Sequence, residues 1–269
     1  MEKITFKPVE NSSATVTGFL HTPIFEMPVR REIFPAVVVT PGGGYEMVSQ
    51  REAEPIALPF LARGYNVFIL EYSVGGNAKN FQPLIELSET LRIIRQTPEW
   101  RVDPDKIAVC GFSAGGHLSA SLGTLWDAPE LKKVYDNQGG LNRPNAMILG
   151  YPVILADEFA HEGSIRNVSG ARPGAPEYEY FSLERHVSDK TCPAFLWHTA
   201  ADDAVPVENT LKFCLALQAS KIPYEVHIFP SGWHGLSACT GETGFAHPYN
   251  ARWMELAIDW LDKTFDFAL

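Results

Sequence analysis

Cysteine is scarce in this sequence, and its spacing suits neither cross-linking nor metal binding. The four cysteines, Cys110, Cys192, Cys214 and Cys239, lie far apart and include no C-x-x-C pair. Such spacing favours reduced thiols over a disulfide framework or a zinc site. The histidines also include no H-E-x-x-H motif, the spacing that places two imidazoles against one metal ion. We therefore predict no metal site and no cofactor.

Long apolar runs and basic clusters are missing as well. No stretch approaches the roughly 20 apolar residues of a membrane-spanning helix, and the N-terminal residues lack the apolar segment of a secretory signal. We therefore expect a cytoplasmic protein with no membrane partner. The net charge is −10, which argues against a nucleic-acid partner. The sequence leaves the oligomeric state open, a homo-oligomer included.

Short apolar segments alternate along the chain with segments of helical periodicity. Helical stripes are clearest at 84–94, 207–220 and 253–261, and a helix at 51–63 must start late or kink because of two prolines. Alternating residues at 4–9 and 14–20 suit an antiparallel edge. Buried strands are predicted at 35–40, 65–72, 107–110, 145–150, 193–198 and 223–229. This order predicts an α/β fold with a mostly parallel central sheet and helices on both faces.

The chain shows no repeat and no interdomain linker, so we predict one domain over residues 1–269. Residues 151–191 differ from the rest because prolines, glycines and aromatic residues are scattered there without a clear period. This segment is the best candidate for a lid.

The stretch Gly111-Phe-Ser-Ala-Gly115 follows the strand at 107–110 and precedes a segment that can continue as a helix. It matches G-x-S-x-G, the nucleophile elbow, in which a serine occupies a strained turn between a strand and a helix. Glycines beside the serine let the strand and the helix cross closely. The pattern predicts a nucleophile at Ser113, although a glycine-rich turn with an incidental serine would show the same residues.

Two later loops supply the groups that a serine nucleophile needs. A serine hydroxyl reacts only when a base takes its proton, and the base needs an orienting carboxylate. Asp202 and Asp203 follow the strand at 193–198, and His234 follows the strand at 223–229. The order Ser, Asp, His is that of an α/β-hydrolase. Spacing does not separate the two aspartates. The plainer alternative is a solvated loop carboxylate for either aspartate and a surface-loop histidine for His234.

An oxyanion site needs backbone N–H groups directed at developing negative charge. One donor is expected from Ala114, which follows the nucleophile, and others from residues 41–45, a glycine cluster after the first buried strand. A tight loop without a catalytic part is the alternative. Among the other histidines, His117 is expected to be a buried structural group, and His198 is placed to hydrogen-bond the loop that carries the aspartates.

With these residues in place, the chain resembles the α/β-hydrolase superfamily over nearly its full length. More narrowly, it is similar to bacterial acetyl-xylan and related sugar esterases. In that group the acid is the aspartate four residues before the proline of D-x-x-V-P, so the resemblance implies Asp202. Pro41 stands where lipases of the hormone-sensitive type have histidine, which favours the sugar-esterase branch. The matching stretches are 39–45, 111–118, 148–153, 197–206 and 233–235.

The resemblance implies a serine esterase that removes short acyl groups, such as acetyl, from xylo-oligosaccharides, a small-molecule ester substrate. Residues 151–191, with Tyr45 and Trp233, are expected to shape the pocket. A peptidase or amidase of the prolyl-oligopeptidase type and a non-catalytic ligand-binding protein on the same scaffold remain alternatives. The implied roles are Ser113 as nucleophile, His234 as base, Asp202 as acid, and the N–H groups of Gly43, Gly44 and Ala114 as oxyanion donors.

Overall fold

The computed structural model describes residues 1–26, 31–134 and 138–267 of the chain. Its central sheet has the order β1-β2-β4-β3-β5-β6-β7-β8 in these residues, with antiparallel pairing of β1 with β2 and of β2 with β4 and parallel pairing elsewhere. The predicted mostly parallel sheet is confirmed. The strands are β1 (Glu2–Phe6), β2 (Thr15–Leu20), β3 (Phe34–Thr40), β4 (Asn66–Glu71), β5 (Val102–Phe112), β6 (Ala146–Gly150), β7 (Ala194–Thr199) and β8 (Tyr224–Phe229).

Helices cover both faces of the sheet, which explains why its inner strands are continuously apolar. Side chains alternate between the faces, so that Val38 joins one buried cluster with Leu118 of the helix at 114–125, whereas Val37 joins another with Trp253 of the helix at 252–265. The helices are α1 (Glu54–Ala62), α2 (Gln82–Gln96), α3 (Ala114–Leu125), α4 (Pro129–Lys132), α5 (Glu162–Ser169), α6 (Pro176–Glu179), α7 (Glu208–Ala219) and α8 (Arg252–Phe265).

Several element boundaries differ from the sequence prediction. β1 ends at Phe6 rather than at residue 9, because Pro8 has no N–H for the strand ladder. The late start of the helix at 51–63 is confirmed, since α1 begins at Glu54 with a proline in its first turn. The segment 151–191 contains α5 and α6, which its irregular composition did not reveal.

Parallel strands end at one edge of the sheet, and three loops meet there. We call residues 41–45 after β3 the glycine loop, residues 200–206 after β7 the acid loop, and residues 230–237 after β8 the histidine loop. The turn between β5 and α3 lies between them, because β5 occupies the centre of the sheet. Side chains from distant parts of the sequence are thereby brought to one place.

Two kinds of feature are not found in the described ranges. No helix there is long and apolar enough to cross a bilayer. No group of three or more His, Cys, Asp or Glu side chains in the same ranges could hold a metal ion. The four cysteines are free and buried.

Candidate active site

Ser113 occupies a strained turn between β5 and α3. Its backbone angles are φ 52° and ψ −118°, a region that residues other than glycine rarely adopt. A β-carbon on Gly111 would lie 2.2 Å from the carbonyl oxygen of Gly115, and one on Gly115 would lie 2.0 Å from that of Thr40. Glycine at both positions therefore lets the strand and the helix approach closely and hold the serine at the sheet edge.

The side chains of Ser113, His234 and Asp202 form one hydrogen-bonded chain. His234 Nε2 lies 2.8 Å from Ser113 Oγ, and His234 Nδ1 lies 2.8 Å from Asp202 Oδ2. The Asp202 side chain is 1% exposed, whereas that of His234 is 20% exposed. The imidazole therefore lies between a buried carboxylate and a serine hydroxyl, with part of its ring open to solvent.

Asp202 and Asp203, which spacing left equivalent, point to different atoms of the histidine. Asp202 Oδ2 faces the imidazole, whereas Asp203 is exposed and its Oδ1 lies 3.3 Å from the backbone nitrogen of His234. The other oxygen of Asp202 accepts hydrogen bonds from the N–H groups of Val205, at 2.8 Å, and Ala204, at 3.0 Å. These two bonds turn the Asp202 carboxylate inward, toward the ring.

His198 contacts the acid loop, and this prediction is confirmed. Its Nε2 lies 3.0 Å from the carbonyl oxygen of Val205 and 3.3 Å from Asp202 Oδ2, while its Nδ1 lies 2.8 Å from Thr210 Oγ1. A proton on Nε2 satisfies all three contacts. Burial raises the pKa of Asp202, but hydrogen bonds from His198 and His234 outweigh it and hold that pKa well below its usual range. The Asp202 carboxylate is therefore ionised at neutral pH.

The glycine loop presents backbone N–H groups beside Ser113. Gly43 and Gly44 have positive φ, 127° and 67°, and a β-carbon on Gly43 would lie 2.1 Å from a backbone oxygen. The Gly42 N–H is already bound, because it donates to Glu52 Oε2 at 2.8 Å. No described residue accepts a hydrogen bond from the N–H of Gly43, Gly44 or Ala114. These three N–H groups are therefore available to a ligand.

A cavity of about 220 Å³ opens beside the serine. Ser113 and His234 line it together with Gly43 and Gly44, so the hydroxyl, the imidazole and the glycine loop face one space. Arg51 also lines the cavity, and its Nη1 lies 3.5 Å from a backbone oxygen at Thr243. A small ligand could touch the hydroxyl and these N–H groups at once.

His161 is a cavity residue that sequence reasoning missed. It precedes α5, within residues 151–191, and its Nδ1 lies 2.8 Å from Ser164 Oγ. Burial and the nearby charge of His234 lower the pKa of His161, although Asp202 acts in the opposite sense. A neutral imidazole therefore faces the cavity at pH 7. His161 reaches the cavity because residues 151–191 fold back toward Ser113 and His234. Such a contact between distant loops produces no periodic pattern in the sequence, so it could not be predicted.

Tyr45 and Trp233 were expected to shape the pocket, but the structure places both rings elsewhere. Tyr45 is 1% exposed, because its ring packs against that of His117 in α3 and its hydroxyl lies 2.9 Å from His117 Nδ1. Trp233 is 41% exposed and packs edge-on against Phe245 and His247. The described residues that line the cavity include neither ring. His117 is fully buried, as predicted.

Curated relatives share sequence with most of this chain. Endo-1,4-beta-xylanase B of Butyrivibrio fibrisolvens is 39% identical over 211 residues, and the acetylxylan esterase of Xylanibacter ruminicola is 31% identical over 208. The matches cover 77% and 74% of this chain. They cover 33% and 40% of those two proteins, so the chain spans well under half of their length.

A solved structure and a family profile extend the comparison. The acetyl ester-xyloside bifunctional hydrolase from Caldicellulosiruptor lactoaceticus superposes with a TM-score of 0.83 at 34% identity, covering 98% of this chain and 92% of that one. The profile of the BD-FAE family matches residues 23–217, well over half of the chain. This chain belongs to the BD-FAE family and has the α/β-hydrolase fold.

Proposed function

We propose that this protein hydrolyses carboxylic esters through a covalent acyl-enzyme, with Ser113, His234 and Asp202 as its catalytic triad. The observation that supports this most is the unbroken chain of two 2.8 Å contacts that joins the three side chains. Because the order is hydroxyl, imidazole, buried carboxylate, the arrangement suits removal of a proton from the serine.

Acylation begins when Ser113 Oγ attacks the carbonyl carbon of the ester while His234 Nε2 takes the hydroxyl proton. The carbonyl oxygen gains negative charge and accepts hydrogen bonds from the N–H groups of Gly43, Gly44 and Ala114. Collapse of this intermediate breaks the bond to the alcohol oxygen. The His234 imidazolium then donates its proton to that oxygen, and the alcohol leaves.

Deacylation repeats the steps with water as the nucleophile. His234 takes a proton from water, the resulting hydroxide attacks the acyl carbonyl carbon, and the same N–H groups bind the oxyanion. The bond to Ser113 Oγ breaks, the serine recovers its proton from His234, and the carboxylic acid departs. The Asp202 carboxylate holds the imidazole and stabilises its positive charge in both halves of the cycle.

We further propose acetyl esters of xylo-oligosaccharides as the substrates. A cavity of about 220 Å³ is small beside the roughly 300–1,000 Å³ of pockets for drug-sized ligands, which favours a short acyl group. One similar protein is named an acetylxylan esterase, and another an acetyl ester-xyloside bifunctional hydrolase. Residues 151–191 would form a cover over this site, since His161 of that segment lines the cavity.

Hydrolysis of p-nitrophenyl acetate by the wild type and by Ser113→Ala tests the mechanism. We expect the variant to lose more than about 10³-fold in kcat, and equal rates would refute the assignment of Ser113. Acetylated xylo-oligosaccharides, simple esters of increasing acyl length and proline amides test the substrate class. Preference for long acyl chains would overturn the sugar-ester proposal, and faster turnover of amides would favour a peptidase.

A further inference from the structure

Glu52 is a buried carboxylate among the residues that line the cavity. Its residue is 3% exposed, and it lies in the 3₁₀ turn that precedes α1. Oε2 accepts the Gly42 N–H at 2.8 Å, and Oε1 accepts the Tyr151 hydroxyl at 2.5 Å. Burial of a carboxylate is costly unless hydrogen bonds compensate it, and both oxygens here have a partner.

Tyr151 extends this contact to the histidine loop. It follows β6 with a positive φ of 36°, and its hydroxyl oxygen accepts the Ser237 N–H at 2.8 Å. The Tyr151 ring packs edge-on against the His234 imidazole, with ring centroids 5.0 Å apart. Burial and the Glu52 carboxylate raise the pKa of Tyr151, so the hydroxyl stays protonated and donates to Glu52.

The contacts therefore run from the glycine loop, through the Glu52 carboxylate and the Tyr151 hydroxyl, to the histidine loop. Gly42 directly precedes two of the three proposed oxyanion donors, and its N–H is held by Glu52 rather than directed at the ligand. The carboxylate lies close to the loop, since a β-carbon on Gly42 would lie 2.7 Å from Glu52 Oε2. Because both oxygens of Glu52 are hydrogen-bonded, the side chain holds the Gly42 N–H in one orientation.

We propose that Glu52 is a positioning residue that sets the oxyanion donors of the glycine loop at a fixed distance from Ser113 and His234. It acts through Gly42 on one side and through Tyr151 and Ser237 on the other, and its hydrogen bonds go to these neighbours rather than to Ser113 or His234. The inference rests on the proposed function, because it assigns a role in the same ester hydrolysis.

The size of the effect follows from the geometry that oxyanion stabilisation requires. Donors must lie about 2.7–3.1 Å from the oxyanion, and a displacement of about 1 Å can cost on the order of 10²-fold in rate. We therefore expect Glu52→Ala to lower kcat by about 10²-fold while KM for p-nitrophenyl acetate changes by less than about 3-fold.

Two milder substitutions separate the halves of the connection. In Glu52→Gln the amide oxygen can still accept the Gly42 N–H, but the amide NH₂ then faces Tyr151, whose hydroxyl proton loses its acceptor. Tyr151→Phe keeps the ring against His234 and removes the link between Glu52 and Ser237. Each should lower kcat by about 10-fold, so Glu52→Gln should restore part of what Glu52→Ala loses.

Glu86 of α2 provides a matched control. It is also buried, with Oε2 accepting the Ser73 N–H at 2.8 Å and Oε1 accepting the Ser73 hydroxyl at 2.5 Å. Neither residue is among the described residues that line the cavity. Glu86→Gln should lower the thermal midpoint, as loss of a buried carboxylate contact does, and leave kcat within about 2-fold of wild type.

The experiment measures kcat, KM, the inhibition constant of a trifluoromethyl ketone and the thermal midpoint for these variants, with Ser113→Ala alongside. The ketone forms an oxyanion on the serine, so its affinity should fall in proportion to kcat/KM in the Glu52 variants and stay unchanged in Glu86→Gln. Wild-type kcat and ketone affinity in Glu52→Gln and Tyr151→Phe would overturn the inference, even if Glu52→Ala failed to fold. Activity retained by Ser113→Ala would instead refute the proposed function.

Discussion

Asp202→Asn tests the proposed triad most directly, because the structure determines which way the new amide must point. Asp202 Oδ1 accepts the backbone N–H groups of Val205 and Ala204. The asparagine oxygen must take that position, since the backbone donors cannot move. The NH₂ group then replaces Oδ2 and faces His234 Nδ1 and His198 Nε2, both of which carried protons toward the carboxylate.

Two donors cannot share a hydrogen bond, so the His234 proton is expected to move to Nε2. In that tautomer Nε2 donates to Ser113 and cannot accept its proton. The same exchange of aspartate for asparagine in a serine-protease triad lowers kcat by about 10⁴-fold. At about 1.36 kcal/mol per tenfold, the expected loss is about 5.4 kcal/mol of transition-state stabilisation.

Steady-state hydrolysis of p-nitrophenyl acetate measures the loss, and Asp203→Asn is the matched control. Asp203 is adjacent, exposed and directed at the backbone of His234 rather than its ring. We expect that control to keep kcat within about 3-fold of wild type, because an asparagine oxygen can accept the same N–H. A loss in Asp203→Asn as large as in Asp202→Asn would refute the reasoning about which carboxylate holds the imidazole.

Two further predictions concern stability. Burial lowers the pKa of His117 to about 4, below the roughly 6.5 of an unfolded histidine, so as pH falls through this window the unfolded state binds a proton that the folded state excludes. His117→Gln should therefore reduce the stability lost between pH 7 and 5 by about 2 kcal/mol, measured by chemical denaturation at each pH. An unchanged pH dependence of stability would contradict a neutral buried ring. Gly115→Ala should cost more than about 3 kcal/mol in thermal unfolding, because its β-carbon would lie 2.0 Å from a backbone oxygen. In the control Gly76→Ala the new β-carbon would meet nothing within 4 Å, so stability should change by less than about 0.5 kcal/mol. Equal losses of stability in the two variants would show that the close approach at Gly115 does not cause the loss.

The order of strands and helices could be predicted from local patterns. The strand at 107–110 and the turn at Ser113 both depend on residues that are near each other in the sequence. The structure has a strand there, β5, although it begins earlier, at Val102, and the turn follows it. Asp202 and His234 each follow a predicted strand of the parallel sheet, and the structure brings their side chains together. Their catalytic roles and the lid at 151–191 remain predictions.

Residues whose position depends on contacts between distant loops could not be predicted in the same way. Glu52 lies in a turn whose sequence predicts the beginning of a helix, and its hydrogen-bond partner Tyr151 is 99 positions away. The two aspartates differ in burial and in the atoms that their oxygens contact, and both are three-dimensional properties. Tyr45 was expected to shape the pocket, but its ring packs against His117 of α3, a contact between residues 72 positions apart.

The distances in sequence between the three residues of the proposed triad also bear on how the chain folds. The Ser113–His234 contact closes a loop of 121 positions, and the His234–Asp202 contact closes one of 32. Closure of long loops carries an entropic cost that must be met before such contacts form, and contacts of this kind slow folding. Helices such as α2 can form early from local contacts, whereas the hydroxyl, imidazole and carboxylate meet only when β5, β7 and β8 have joined one sheet. Recovered ester hydrolysis is therefore a stricter measure of complete refolding than recovered helix content.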